Sequence, residues 1–387
     1  MRKRLVICLF WILVLMGATG MAGAREVTLK EKIGQMLLIG FPGTQLQPDD
    51  AIVHAILKQE IGGVILFDYN FATKTFDRNI KSPAQVAKLT QQLQSYNKQA
   101  NASYPLLIGV DYEGGKVNRL KENYGFPKTL SAAEIAKLSV DQATVYATQM
   151  AETLEKVGIN LNFAPVVDVN INPDCPVIGR IERSFSSDPG VVAAYAAVFA
   201  KAYAAHGVMC SYKHFPGHGS STGDTHQGFV DVTQTWQASE LEPYKTLFAN
   251  PQTCQLVMTA HVVHYGLDAS GLPASLSKSI TQDLLRDKLN FQGVVITDDL
   301  QMKAVADNYS VPQAVILAVN AGADILVFGN QLADPQDPAA IIDIIMTAIT
   351  KGEIAESRID ESYQRIMKLK SHIANTSHLQ QSETIKE

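Results

Sequence analysis

Fourteen consecutive residues, Lys213-His214-Phe215-Pro216-Gly217-His218-Gly219-Ser220-Ser221-Thr222-Gly223-Asp224-Thr225-His226, hold three histidines, a lysine and an aspartate. The glycines among them allow tight turns and mobility. Asp224 and His226 stand two apart, so their side chains meet in a turning loop. A carboxylate beside an imidazole fixes the ring's tautomer and raises its basicity. His226 is therefore a candidate proton shuttle near neutral pH. A solvated loop whose histidines merely cap turns is the plain alternative, and the clustering of titratable groups weighs against it.

A second segment, Gly293-Val294-Val295-Ile296-Thr297-Asp298-Asp299-Leu300, runs an apolar strand into two adjacent carboxylates. Strand neighbours point to opposite sides, so one of the pair faces a catalytic mouth as a nucleophile. The other takes supporting contacts or caps the next helix, a common fate for Asp299 at a strand-to-helix turn. Two further segments, Val110-Asp111-Tyr112-Glu113-Gly114-Gly115-Lys116-Val117-Asn118-Arg119 and Arg180-Ile181-Glu182-Arg183-Ser184-Phe185, offer carboxylates and arginines. Such groups suit fork-shaped recognition of sugar hydroxyls and an acyl group. Glu113 and Arg119 are equally suited to a structural ion pair.

These groups need a scaffold. Short apolar runs recur at Met36–Phe41, Gly63–Phe67, Leu106–Asp111, Leu161–Val169, Val208–Lys213, Leu256–His261, Val294–Asp298 and Ile325–Phe328. Between them lie helical patterns such as Ala84–Tyr96, Val140–Val157, Gly190–Ala205, Ile280–Leu289 and Pro312–Ala321. Strands without alternation are buried on both faces, which means a parallel sheet covered by helices. Eight of them alternating with helices predict a single-domain α/β fold, a closed (β/α)₈ TIM barrel. A doubly wound open sheet would need a phosphate-binding glycine loop after the first strand, and Pro42-Gly43-Thr44 is not one. A barrel places catalytic groups at the C-terminal ends of its strands. Polar residues gather there: Asp111 and Glu113, Asp168, Lys213 and His214, His261, Asp298 and Asp299.

The amino terminus reads as an export signal. Arg2, Lys3 and Arg4 precede an uncharged run from Leu5 to Met16, and Ala22-Gly23-Ala24 offers a cleavage pattern. The expected organisation is a signal peptide at 1–24, a (β/α)₈ barrel domain at 25–370 and a flexible polar tail at 371–387, in a periplasmic or secreted protein. The apolar run is shorter than the roughly 20 residues of a membrane-spanning helix, so no stable membrane insertion is expected after cleavage. A net charge of −5, made more acidic by loss of the three basic residues, argues against nucleic acid as the partner. Cys175, Cys210 and Cys254 would remain, with no zinc or disulfide-framework spacing. One disulfide fits an oxidising compartment, but the apolar surroundings of Cys210 favour a plain core thiol. A monomer is the expected state.

These motifs carry a resemblance. The chain resembles the single-domain bacterial β-N-acetylhexosaminidases of glycoside hydrolase family 3 over Leu29–Lys370. Lys213 to His226 is similar to the family's K-H-F-P-G-H-G-x₄-D-S/T-H pattern. Asp111-x-Glu113-Gly114-Gly115, Arg183-Ser184-Phe185, Thr297-Asp298-Asp299-Leu300 and the closing Arg358-Ile359-Asp360-Glu361-Ser362 match in order. The resemblance implies Asp298 as nucleophile, and His226 as general acid/base with Asp224 as its dyad partner. It implies that Asp111, Arg183, Lys213 and His214 hold N-acetylglucosamine in the −1 subsite. It also implies a retaining hydrolysis of small N-acetylglucosamine-containing glycans, peptidoglycan-derived or chitin-like, with no metal and no cofactor. Two features depart from the pattern: the export signal, and Gln227-Gly228-Phe229-Val230 where the family has a charged, proline-containing run. Rival expectations are a family 3 glycosidase for another sugar, a metal-dependent barrel hydrolase and an inactive sugar-binding protein. The metal enzyme would use His214, His218, His226, His261 and Asp298. Such enzymes place an H-x-H pair on the first strand, and Met36–Phe41 has no histidine. Intact Asp298 and His226 argue against the inactive protein.

Overall fold

Runs of Leu, Ile and Val with no polar alternation bury both faces of each strand, and a sheet of such strands is stable only when closed and covered by helices. The computed structural model describes residues 26–250 and 254–384, with side chains as far as Ile373. Its eight parallel strands are β1 (Leu37–Gly40), β2 (Gly63–Leu66), β3 (Leu107–Val110), β4 (Leu161–Asn162), β5 (Met209–Phe215), β6 (Leu256–Thr259), β7 (Val294–Asp299) and β8 (Ile325–Phe328). Each pairs with its neighbours in sequence, and β1 closes on β8 to complete the barrel. Leu38 stands beside Val327 on one side and Gly63 on the other. This is the (β/α)₈ barrel that the sequence predicts.

The outer layer is helical: α1 (Leu29–Gln35), α2 (Ala51–Leu57), α3 (Pro83–Gln99), α4 (Val140–Lys156), α5 (Pro189–Ala205), α6 (Glu242–Phe248), α7 (Ser279–Lys288), α8 (Val311–Ala321), α9 (Pro338–Thr350) and α10 (Glu356–Thr384). Local chemistry sets the starts. Ser139 and Gln142 form a reciprocal capping box at α4, and Ser310 and Gln313 another at α8. The α7 segment, expected as an ordinary helix, is π-helical.

Two further differences have physical causes. The run Leu161–Val169 reads as one strand, but its ladder ends at Asn162 and resumes as a bridge from Val166 to Lys213. Pro165 has no N–H to give a ladder. Cys210, expected as a plain core thiol, is disulfide-bonded to Cys254, and Cys175 is the buried free thiol among the described residues. The two partners are 44 residues apart, but β5 and β6 are adjacent, which brings their Cα atoms to 5.0 Å. Helix α10 runs to Thr384. The signal segment 1–24 lies outside the described residues. No described helix is long and apolar enough to cross a membrane.

The bottom of the barrel is held by one buried carboxylate. Asp324, just before β8, accepts from Arg358 (2.6 Å), Arg365 (3.1 Å), Ser362 (2.9 Å), Arg286 and the Val295 backbone N–H (2.9 Å). The closing Arg358–Ser362 motif therefore ties α10 to the sheet, opposite the catalytic face.

Candidate active site

The C-terminal ends of the strands surround a cleft of about 560 Å³. Its floor is a network of ions. Lys213, from β5, places Nζ 2.8 Å from Asp111 Oδ1 and 2.6 Å from Glu113 Oε1. Arg183 grips Glu113 with two parallel bonds, Nε to Oε2 and Nη2 to Oε1, both 2.8 Å. Its Nη1 donates to the Val177 carbonyl at 2.8 Å. Arg119 adds a looser contact to Asp111 Oδ2 at 3.4 Å. A bidentate, buried pair of this kind is both strong and geometrically fixed. Glu113 thus serves as the internal counter-ion, while Asp111, Arg183 and Lys213 line the cleft. Burial alone would raise the Asp111 carboxyl, but Lys213 and Arg119 hold it well below the usual carboxylate range.

Behind that floor lies Asp168, fully buried beyond β4. It accepts from His214 Nδ1 at 2.6 Å and from the backbone N–H groups of His214 (3.2 Å) and His218 (2.7 Å). Arg183 Nη2 reaches His214 Nε2 at 3.2 Å. Since an arginine can only donate, Nε2 accepts and Nδ1 carries the proton. Burial, with Arg183 and Lys213 nearby, pushes the His214 ring well below an ordinary imidazole pKa. His214 is therefore a neutral, oriented ring. His218 and His261 are also committed to local partners. His218 meets Ser221 Oγ at 2.9 Å and Thr225 Oγ1 at 3.4 Å. His261 Nε2 donates to the Asp299 carbonyl at 2.9 Å and Nδ1 accepts from Ser275 at 2.7 Å.

The loop after β5 lies close against the barrel rim. A Cβ on Gly219 would fall 1.8 Å from the Val169 carbonyl oxygen, so only glycine fits there. Gly217 has a positive φ of 127° and lies over Glu240, whose Oε2 also accepts the Gly219 N–H at 3.1 Å. Burial pushes the Glu240 carboxyl up to about 7. Farther along, Asp224 and His226 pair through Oδ1 and Nδ1 at 2.9 Å. The His226 ring is 54% exposed at the cleft wall. Its pKa is lowered by desolvation but raised more by the Asp224 bond and by Asp298 and Asp224 as charges, so the net direction is up. Asp224 is held down to about 2, chiefly by that same bond.

Asp298 faces the same cleft from the end of β7. Burial would raise its carboxyl, but His261, His214, His226 and the Asp299 N–H hold it below its ordinary value. An ionised carboxylate and a protonatable imidazole thus share one water-accessible space. Asp299 has a different role. Its Oδ1 accepts the backbone N–H groups of Gln301 and Gly329, both at 3.1 Å, bracing the turn beyond β7 to the end of β8. It does not cap the following helix at Lys303–Ala306, whose N-cap is Met302.

All seven candidates, Asp298, His226, Asp224, Asp111, Arg183, Lys213 and His214, line this cleft. Sequence reasoning missed Asp68, Lys121 and the aromatic residues Tyr69, Phe71 and Phe76, which line it as well. Asp68 follows Phe67 at the end of β2, so the strand-end rule that finds Asp111 also reaches it. Glu240 carries no comparable signal, because it comes from the helical segment after the loop.

The model of the Glycosyl hydrolase family 3 N terminal domain matches residues 28–369. Among curated proteins, Beta-hexosaminidase A of Pseudoalteromonas piscicida is 32% identical, over 92% of this chain and 63% of that protein. Beta-hexosaminidase LpqI of Mycobacterium tuberculosis is 39% identical, over 69% of this chain and 68% of its own length. A glycoside hydrolase family 3 β-N-acetylglucosaminidase from Paenibacillus superposes with a TM-score of 0.80 at 34% identity, covering 90% of this chain and 63% of that one. The β-N-acetylhexosaminidase of Beutenbergia cavernae gives a TM-score of 0.79 at 29% identity, covering 89% and 99%. The chain thus spans less than two thirds of the Pseudoalteromonas and Paenibacillus proteins.

Proposed function

The chain belongs to glycosyl hydrolase family 3, and from that membership we propose that it is a retaining β-N-acetylhexosaminidase. The observation that carries this reading is the pairing, across one cleft, of the Asp298 carboxylate with the Asp224–His226 dyad. The names of the similar proteins from Pseudoalteromonas, Mycobacterium, Paenibacillus and Beutenbergia support the amino-sugar specificity.

In the first step an Asp298 oxygen attacks the anomeric carbon while the bond to the leaving oxygen breaks. Protonated His226 delivers its proton to that oxygen, and a glycosyl ester on Asp298 results. In the second step neutral His226 takes a proton from water as the water oxygen attacks the same carbon. The ester bond breaks, Asp298 leaves as a carboxylate, and the configuration is retained through two inversions. Asp224 stays ionised throughout and steadies the imidazolium each time it forms. Asp111, Arg183, Lys213 and His214 present a rigid set of donors and acceptors to the hydroxyls of the terminal sugar. Preorganised groups of this sort act without reorganisation cost when charge develops.

We place the protein outside the cytoplasm, acting on peptidoglycan-derived or chitin-like glycans. The amino-terminal pattern at 1–24 and the Cys210–Cys254 disulfide support this, since disulfides persist in oxidising compartments. The test is a panel of aryl N-acetylglucosaminide, aryl glucoside, chitobiose and a muropeptide disaccharide, with the first product followed by NMR. Release of the β-anomer of N-acetylglucosamine is expected. Preference for the glucoside would overturn the specificity, and an initial α-anomer would overturn the mechanism.

A further inference from the structure

The loop between β2 and α3 raises an aromatic wall at the cleft rim. Its base is pinned to the barrel. The Asn79 side chain donates to the Phe41 and Gly43 carbonyls, each at 3.0 Å, and accepts the Phe67 N–H at 3.0 Å. Buried Arg78 donates to the Asn330 carbonyl at 2.8 Å, beyond β8. An antiparallel bridge from Asn70 to Thr75 closes the tip. Tyr69 packs edge-on to Phe71 and tilted to Phe76, each with ring centroids 4.9 Å apart. Lys121 holds Phe76 from one side, with Nζ 4.5 Å from the ring centroid and 2.6 Å from Asp68 Oδ2. Phe71 and Phe76 nevertheless remain 49% and 55% exposed. Two phenyl rings held in water on a braced loop beside a catalytic cleft form an apolar surface that something is shaped to cover.

Asp68 adds a polar group to this wall. The side chain is 1% exposed, and Oδ2 is engaged by Lys121 and by the Tyr124 hydroxyl at 3.1 Å. Oδ1 has no hydrogen-bond partner in the protein. An unpaired buried carboxylate oxygen is costly, and Asp68 is among the residues that line the cleft. An aromatic face beside an unpaired acceptor matches a pyranose ring, whose C–H face is apolar and whose edge carries hydroxyls.

The position selects which ring. Ile65, Phe163, Met258 and Val327 close the cleft from below with buried Lys213, and the half-buried Asp111 and Arg183 lie beside them. A terminal sugar seated on that floor can continue only outward, past the rim. We propose that Tyr69, Phe71, Phe76 and Asp68 form an aglycone subsite that stacks a sugar ring beyond the scissile bond. The preferred substrates are then oligosaccharides of β-linked amino sugars rather than glycosides with small leaving groups. This rests on the hexosaminidase reading and extends it to the leaving-group side.

The test compares chitotriose with β-N-acetylglucosaminyl fluoride, whose leaving group has no ring. In the Phe71→Ala/Phe76→Ala double variant, kcat/KM for chitotriose should fall about tenfold, mainly through KM, the loss expected for two stacking contacts. The fluoride should change less than twofold, which also reports that the variant is folded. Phe76→Trp should retain chitotriose activity. Equal losses on both substrates, or no loss on chitotriose, would overturn the subsite while leaving the activity in place. Failure of the unaltered protein to cleave either substrate would overturn the hexosaminidase reading itself.

Discussion

His226 and Asp224 make their contact within a single turn of chain: one carboxylate oxygen, Oδ1, accepts both the ring Nδ1–H and the backbone N–H of His226, each at 2.9 Å. The Gln227 side chain takes the other oxygen at 3.1 Å. The dyad is therefore preassembled in the loop and needs no partner from the barrel. With Asp224 ionised, Nδ1 must donate, which leaves Nε2 as the ring's other protonatable atom.

The Asp224–His226 bond predicts a pH profile. The His226 pKa is raised, so the protonated acid survives above the ordinary imidazole range near 6.5. The Asp298 carboxyl is depressed, so the nucleophile ionises below the ordinary carboxylate range. The kcat/KM plateau should lie between those two limits, with apparent values that belong to a coupled system. Asp224→Asn removes the group that raises His226, so the alkaline limb should move toward acid while the acid limb stays. An unmoved alkaline limb would separate it from His226.

His226→Ala should divide substrates by leaving group. General acid assistance is worth about 10²–10⁴-fold, and that loss is expected for chitobiose, whose leaving oxygen needs a proton. An aryl glycoside with an acidic phenol needs little help with departure, so its first step should fall less than about tenfold. Steady-state and burst measurements on both would check this. Equal losses for the two leaving groups would place His226 outside the acid role.

Legibility followed the range of each interaction. Barrel strands were readable because burial on both faces writes an unbroken apolar run, and the strand-end rule then found Asp111, Lys213, His214 and Asp298. The Asp224–His226 pair was readable because it spans three residues. The bidentate Glu113–Arg183 pair joins residues 70 apart in sequence, so its geometry exists only once β3 and the segment beyond β4 are neighbours. The Cys210–Cys254 bond has the same origin, and the apolar surroundings of Cys210 pointed the other way. The aromatic loop at Tyr69–Phe76 was invisible for another reason: an irregular segment has no period to read.

The Cys210–Cys254 bond brackets the whole Lys213–His226 segment within a 44-residue loop. In the chain-entropy picture, closing a loop of that length stabilises the fold by about 4 kcal/mol. Cys254→Ser should lower the urea midpoint accordingly, and reductant should destabilise the unaltered protein but not the variant. Activity at 25 °C should survive, because no catalytic side chain depends on either sulfur. A midpoint that ignores both the substitution and the reductant would mean that the disulfide contributes nothing to stability.

Asp324 offers the sharpest contrast between stability and catalysis. It is fully buried and accepts from three arginines, a serine and a backbone N–H, none of which lines the cleft. Asp324→Ala would strand Arg286, only 4% exposed, without a counter-ion and would leave Arg358, 13% exposed, with Glu361 alone. Breaking a buried pair by removing one partner costs about 3–5 kcal/mol, because the other charge stays desolvated. The variant should unfold at markedly lower urea yet keep its kcat, KM and pH profile while folded. Arg183→Lys, at the opposite end of the barrel, should behave in the reverse way. A lysine keeps the charge but cannot make the two parallel bonds to Glu113, so KM should rise while the unfolding midpoint falls by less than it does in Asp324→Ala. If both variants lost stability and activity together, the two ends of the barrel would be coupled, and the separation of a structural floor from a catalytic rim would fail.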